Sequence, residues 1–256
     1  MLPSGHPTKQ EIWKIARRTT DIIETNITPN VCIFGSAASS LWVDIGRVPK
    51  VRRCYLHHLS IPLSIDRLVF DTQDVDIVVS REDWEESDPR YIAELIKEKI
   101  VQVDRRYYLQ RSGIRGAKYR ILYCRLPGWA SDKTRRVKVD ILVPPTLNLP
   151  AISEYERDHI YNIPVMPIFD LLIMKTQGWW HHRESDRRDF RAKEKDDVSY
   201  IFALLECAKQ ENVSYADEAN KHRHSRKFMD HAQSLVNKFV PVYGGHQEWR
   251  AIGFRV

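Results

Sequence analysis

A short apolar segment that turns directly into a run of small residues is the feature that most constrains how this chain folds. Residues 31–34 read VCIF, a composition typical of a buried strand, and Gly35 and Ser36 then lead into AASSLW. Such a Gly-Ser pair often closes a tight turn. It also suits the start of a helix, where backbone N–H groups and the helix dipole favour an anion. The junction therefore predicts a phosphate-binding site at Gly35 and Ser36.

Three aspartates lie inside strand-like apolar segments. Asp74 and Asp76 are two residues apart in DVDIVV, so both side chains leave the same face of a strand, and Asp140 lies in VKVDILV. Buried carboxylates without a partner cost several kcal/mol, so these three call for a partner. Oxygen ligands without histidine or cysteine suit Mg²⁺ or Mn²⁺. The alternatives are a solvated Asp-x-Asp pair and an Asp140 that faces solvent or pairs with Lys138.

Periodicity divides the chain into a mixed first part and a helical second part. Helical spacing covers residues 8–25 and 81–100, and a proline-rich connector, PPTLNLP, begins at Pro144. Strand patterns cover residues 31–34, 68–80, 106–112, 118–126 and 135–143. We therefore predict an α+β fold with a mixed sheet flanked by helices in residues 1–146. This part carries a basic insertion at 43–67, and a C-terminal helical region follows in residues 147–256 with an irregular tail at 239–256.

Composition limits the class of protein. The chain has 256 residues and a formal net charge of +6, which suits RNA or another polyanionic partner. No apolar run reaches the length of roughly 18 residues that a membrane span needs, and the N-terminal residues lack the apolar core of a secretory signal. We therefore expect no membrane partner and a location in the cytosol or nucleus. The four cysteines are scattered and read as reduced thiols.

The ordered motifs FGSAASSLW, DVDIVVS and VKVDILV resemble the signatures of the polymerase-beta-like nucleotidyltransferase superfamily. The resemblance covers about residues 31–143 and implies a nucleotidyltransferase-like sheet. It implies that Asp74 and Asp76 bind two metal ions and that Asp140 binds the catalytic one near the attacking hydroxyl. It further implies that Gly35 and Ser36 hold the nucleoside triphosphate.

The second half also carries a resemblance. PIFDLLIMKTQGWW, a basic loop and KDDVSYIFALL look like the helical part of nucleotidyltransferases related to bacterial abortive-infection toxins and to uncharacterised fungal proteins. There Lys175 and the group formed by Lys195, Asp196 and Asp197 would face the nucleotide cleft, with Lys175 contacting phosphate or sugar. Asp197 has an alternative role as the N-terminal cap of a helix over residues 198–209. The basic loop, with Arg183, Arg187, Arg188, Arg191 and Lys193, is a candidate contact for triphosphate or polynucleotide.

The leading hypothesis from sequence is a metal-dependent enzyme that moves a nucleoside monophosphate from a triphosphate to an acceptor hydroxyl. The acceptor is an RNA end, a protein hydroxyl or a small alcohol. One alternative is a non-catalytic nucleotide- or RNA-binding module that retains the fold. A second is a partner-binding protein that uses the apolar tail and the tryptophan-rich helix end as its interface.

Overall fold

The computed structural model describes residues 6–45, 74–84, 87–114, 116–127 and 135–256. The chain is α+β, with a seven-stranded mixed sheet flanked by helices. The strands are β1 (Val31–Phe34), β2 (Asp74–Val79), β3 (Tyr107–Arg111), β4 (Arg120–Arg125), β5 (Arg136–Leu142), β6 (Asp158–Ile160) and β7 (Ile163–Val165). The helices are α1 (Lys9–Asn26), α2 (Gly35–Asp44), α3 (Pro89–Val103), α4 (Ile168–Arg183), α5 (Arg188–Arg191), α6 (Glu194–Gln210), α7 (Glu218–Arg223), α8 (Arg226–Tyr243) and α9 (His246–Ala251).

The sheet has the strand order β3-β4-β5-β2-β1-β7-β6. The two strands at its centre, β2 and β5, run parallel, whereas β1 pairs antiparallel with β2 and β4 pairs antiparallel with β5. Both segments that carry the predicted carboxylates are therefore hydrogen-bonded neighbours, although about sixty residues separate them in sequence.

Buried and partly exposed side chains alternate along the strands, so the two faces of the sheet differ. Along β5 the even-numbered side chains are partly exposed and Val137, Val139 and Ile141 are buried. Helices α1 and α3 cover the buried face. There Tyr107 on β3 shares a 2.7 Å hydrogen bond with Thr19 of α1. The opposite face, which we call the aspartate face, carries Asp74, Asp76 and Asp140.

The described residues form two compact units. One contains residues 6–38 and 74–166, and the other contains residues 39–45 and 167–256. In the second unit α4 packs against α6 and α8, and the fully buried Trp179 meets Phe239 at a ring distance of 5.0 Å. None of the described helices has the length and apolar character of a membrane-crossing segment.

The fold agrees with the sequence predictions in its first elements and differs from them in the second half. The strand at 31–34 and the helix predicted at 8–25 match β1 and α1 closely. The predicted irregular tail at 239–256 is wrong, because α8 continues to Tyr243 and α9 follows. The helical region predicted over residues 147–256 is wrong at its beginning, because β6 and β7 extend the sheet beyond residue 146, whereas helices α4 to α9 follow. Most of the predicted insertion at 43–67, and Cys54 within it, lie outside the described residues. The other three cysteines are buried and unbridged.

Candidate metal and nucleotide site

The three predicted aspartates come together on the aspartate face. Asp76 on β2 is the direct cross-strand partner of Asp140 on β5, and Asp74 lies two residues before Asp76. One carboxylate oxygen from each residue can be chosen so that all three lie within 4.8 Å of one another. All three side chains are half-buried. Three carboxylates this close repel one another unless a cation lies between or beside them.

The sequence builds this cluster by alternation on two strands. Val75 and Ile77 of β2 are fully buried on the helix-covered face, so the aspartates between them must point the other way. The same alternation in β5 buries Val139 and directs Asp140 toward Asp76. Because the strands are parallel and in register, the two side chains lie at the same level of the sheet.

Lys138 is a fourth member of the cluster. It lies two residues before Asp140 on the same face, is the cross-strand partner of Asp74, and its ammonium forms an ion pair with the Asp140 carboxylate. Burial by itself lowers the pKa of Lys138. The charge and hydrogen bond of Asp140, together with the charges of Asp74 and Asp76, outweigh burial, so the pKa lies above its ordinary value. Among the described residues, the cluster thus combines three carboxylates with the ammonium of Lys138.

Gly35 brings the start of α2 against the cluster. Phe34, the last residue of β1, is the cross-strand partner of Asp76, so the chain enters α2 beside that carboxylate. Gly35 has a φ of +67°, and a Cβ built on it would overlap the Asp76 carboxylate and lie 3.1 Å from its Cγ. Only glycine satisfies both the backbone conformation and the close approach. The half-buried Ser36 follows in the first turn of the ten-residue helix.

This arrangement places cation and anion ligands side by side. The donor set of the cluster consists of carboxylate oxygens, which are the ligands that Mg²⁺ and Mn²⁺ prefer. The N-terminal end of α2 carries the positive pole of the helix dipole, which attracts phosphate. Gly35, Ser36, Asp74, Asp76 and Asp140 therefore form one continuous candidate site in the first unit.

The predicted residues of the helical region lie in the second unit. Lys175 of α4 forms a 2.8 Å ion pair with Asp197 of α6, and His182 shares the other carboxylate oxygen. Burial raises the pKa of Asp197, but the hydrogen bond from His182 and the charge of Lys175 outweigh it and hold that pKa below its usual range. The alternative role as an N-cap is wrong, because α6 begins at Glu194, three residues earlier. Lys195 is exposed near the start of α6.

The predicted basic loop contains the short helix α5, and some of its cations have acidic partners. Arg183 donates a 2.6 Å hydrogen bond to Glu194, and Arg187 pairs with Asp189 while its guanidinium lies 3.9 Å from the Phe190 ring centroid. These pairs reduce the net positive charge that the loop offers to an anion. Its role as a triphosphate contact stays a prediction.

From the sequence, Lys138 is expected only as an alternative partner for Asp140, and not as a member of the site. The signal that could have placed it in the site is its spacing. Residues two apart on a strand share a face, and Lys138 has the same spacing from Asp140 as Asp74 has from Asp76.

Comparisons with known proteins give no relative for this chain. No family model, no curated protein and no solved structure matches it. The candidate site therefore rests on its own residues and geometry.

Proposed function

We propose that the first unit is the catalytic part of a metal-dependent nucleotidyltransferase. The observation that supports this best is the meeting of three carboxylates on adjacent parallel strands with the start of α2 at Gly35. A cation site and an anion site in contact are what a metal-bound triphosphate requires. The resemblance of the three sequence motifs to the polymerase-beta-like superfamily supports the same function.

The residues present fit a divalent cation. Among the described residues, the cluster supplies oxygen ligands, and its three carboxylates outnumber the one ammonium, that of Lys138. Mg²⁺ is typically bound through one or two carboxylates together with substrate phosphates, so Asp74, Asp76 and Asp140 are sufficient ligands. A bound Mg²⁺ or Mn²⁺ would polarise the phosphoryl oxygens and favour ionisation of the acceptor hydroxyl.

The reaction is a displacement at the α-phosphorus of the triphosphate. The acceptor oxygen forms a bond to that phosphorus, the bond to the oxygen bridging to the β-phosphate breaks, pyrophosphate leaves, and the hydroxyl proton passes to solvent. The chain contributes by positioning: the first turn of α2 orients the phosphates, and the register of Asp76 with Asp140 fixes the ligands on both strands. Lys138 balances charge at Asp140.

A transfer assay tests this function. Purified protein is incubated with Mg²⁺ or Mn²⁺, each labelled nucleoside triphosphate, and cellular RNA and protein as acceptors. We expect label transfer and pyrophosphate release by the parent and loss of both in Asp74→Asn/Asp76→Asn. The matched control Asp21→Asn/Asp83→Asn changes two exposed carboxylates of the same unit and should transfer label like the parent.

The competing function, a non-catalytic binding module, predicts a different result. In that case the triphosphate binds only with metal, and binding is lost in the double variant, but no label moves to any acceptor. If neither metal-dependent binding nor transfer occurs, both nucleotide functions are wrong.

A further inference from the structure

The aspartate face continues beyond the cluster into a row of aromatic and basic side chains. Cross-strand pairing sets Tyr108 of β3 opposite Tyr123 of β4, Tyr123 opposite Lys138 of β5, and Lys138 opposite Asp74 of β2. These four residues therefore form one line across four neighbouring strands. With strands spaced about 4.8 Å apart, the line extends about 14 Å from the carboxylate cluster to strand β3.

Two arginines lie beside this line. Arg125 of β4 is the direct cross-strand partner of Arg136 of β5, and this pair lies two residues along the strands from Tyr123 and Lys138, on the same face. The Arg125 guanidinium lies 4.4 Å from the Tyr108 ring centroid, and that of Arg136 lies 3.9 Å from the Tyr123 ring centroid. The two tyrosine rings stack at 5.7 Å. We call the set of Arg125, Arg136, Tyr108 and Tyr123 the Arg–Tyr ladder.

Hydrogen bonds fix the ladder in place. Arg136 donates to the Tyr108 hydroxyl at 3.1 Å and to the Gln110 side-chain oxygen at 2.6 Å, and Arg125 donates to the Arg105 carbonyl at 2.9 Å. Arg125 is exposed, and the other three members are half-buried. The guanidinium groups are thus held by neutral acceptors and aromatic rings, and remain charged at the surface.

Among the residues that the structure describes, no acidic side chain compensates the positive charge of the ladder. Like charges directly opposite each other on neighbouring strands are destabilising. Arg111 and Arg120 form another such pair, on the helix-covered face, but there Glu94 and Glu98 of α3 neutralise Arg120. Within the described parts of the chain, neither Arg125 nor Arg136 forms an ion pair with an acidic residue. An anionic ligand would relieve the repulsion between them.

We infer that the Arg–Tyr ladder binds the acceptor of the proposed transfer and that this acceptor is a single-stranded RNA. The guanidiniums pair with backbone phosphates, and bases stack on the planar guanidinium and tyrosine groups. The 3′ hydroxyl at the end of the strand then reaches the carboxylate cluster along the same face. An acidic peptide would pair with the arginines but has no bases to stack. The inference rests on the proposed function for the fate of the bound end.

Binding is measured without catalysis, so that its outcome does not depend on turnover. Fluorescence anisotropy follows a short labelled oligoadenylate with the full chain in chelator and without triphosphate. We expect Arg125→Gln/Arg136→Gln to weaken binding and to reduce the slope of log K against log salt by about 1.4, since each phosphate contact contributes about 0.7 for single strands. The control Arg111→Gln/Lys118→Gln removes the same charge from exposed positions off the ladder and should keep the parent slope.

Two variants of Tyr123 test the stacking of RNA bases on the ladder. Tyr123→Phe keeps the ring and should bind like the parent, whereas Tyr123→Leu should bind about tenfold more weakly because it loses an aromatic stacking surface. Circular dichroism of each variant verifies that the sheet is intact.

The inference is overturned if the parent does not bind the oligonucleotide at low salt, or if the ladder variants bind like the control. It is also overturned if polyglutamate competes as well as RNA, because the site would then select charge alone. Transfer of label to a protein or small-molecule acceptor by a parent that does not bind RNA would sink the inference and leave the proposed function intact. RNA binding by the ladder without any transfer activity would contradict the proposed function and leave standing the assignment of the ladder as an RNA-binding site.

Discussion

At the scale of single residues, the carboxylate cluster is a site of electrostatic conflict in the protein itself. Three carboxylates lie within 4.8 Å, and Lys138 offsets one of them. A unit charge repels another at 4 Å by about 1 kcal/mol even in water. We therefore expect the carboxylates to lower the stability of the fold when no cation is bound, and a bound cation to restore it.

Asp74→Asn should separate the repulsion among the carboxylates from the stabilisation by a bound cation. In chelator, we expect the free energy of unfolding to rise by about 1 kcal/mol, because one repelling charge is gone. The parent should gain about 2.7 kcal/mol with Mn²⁺ at a hundred times its dissociation constant, and the variant should gain much less. Urea unfolding with and without Mn²⁺ measures both quantities.

The complementary variant, Lys138→Gln, should change both quantities in the opposite direction. Without its ammonium the cluster loses its compensating charge, so stability in chelator falls and the gain from Mn²⁺ grows. Equal Mn²⁺ gains in the parent, Asp74→Asn and Lys138→Gln would show that the ion does not bind the cluster.

Gly35→Ala tests the contact between α2 and Asp76. An alanine there adopts a left-handed backbone at a cost of about 1–2 kcal/mol, and its Cβ overlaps the Asp76 carboxylate, so that side chain must move. We expect lower stability in urea and a loss of metal-dependent triphosphate binding. Gly113→Ala is the control, because a Cβ at Gly113 meets no atom within 4 Å. Full triphosphate binding in Gly35→Ala would contradict the role given to this junction.

At the scale of secondary-structure elements, the sequence predicts the orientation of side chains where the hydrophobic periodicity matches the burial in the fold. Alternation in β2 and β5 predicted which side chains share a face, because the two-residue period of a strand is fixed by its geometry. It could not predict that β2 and β5 are parallel neighbours, since pairing of distant segments depends on the whole sheet. The three-residue strands β6 and β7 are too short to show a period.

The role of Asp197 shows a different limit. Its position before an apolar helical repeat predicted a cap, but Glu194, Lys195 and Asp196 extend the helix by one turn of polar residues. Asp197 is therefore inside α6, and its carboxylate joins α6 to α4 through Lys175 and His182. The spacing of residues within one helix does not predict which side chains of another helix it will contact.

Asp197→Asn should destabilise the pairing of α4 with α6. Removing one partner from a buried ion pair costs about 3 kcal/mol, because the charge of Lys175 loses its compensation. The pKa of Asp197 is lowered in the folded protein, so its stabilisation is complete above the ordinary value near 3.8 and is lost as pH falls through the folded value. The difference in the free energy of unfolding between the parent and Asp197→Asn should therefore be constant at neutral pH and become smaller below pH ~4.

Urea unfolding across this pH range measures that difference. Asp189→Asn, which changes an exposed ion pair on α5, should unfold like the parent at every pH. If the difference in unfolding free energy between Asp197→Asn and the parent stays the same in acid, the stabilisation comes from packing and not from the charge.

At the scale of the whole molecule, the described residues divide into two units, and the proposed ligands lie in the first, from Gly35 to Asp140. A ligand that binds only the folded site slows each opening that destroys the site and leaves other openings unchanged. Hydrogen exchange with Mn²⁺ and a triphosphate therefore tests where the ligand binds, without reference to turnover.

Exchange should slow by up to about 100-fold at a hundred times the dissociation constant in β1, β2 and β5 and in the first turn of α2. These segments hold Gly35 and the three aspartates, so any opening that separates them also releases the ligand. Fraying of the C-terminal helix α9 leaves the carboxylates in register, and its exchange should not change. The same measurement on Asp74→Asn/Asp76→Asn should show no slowing in the strands. Protection confined to α4 and α6 would place the nucleotide at the Lys175–Asp197 pair instead and would contradict the carboxylate site.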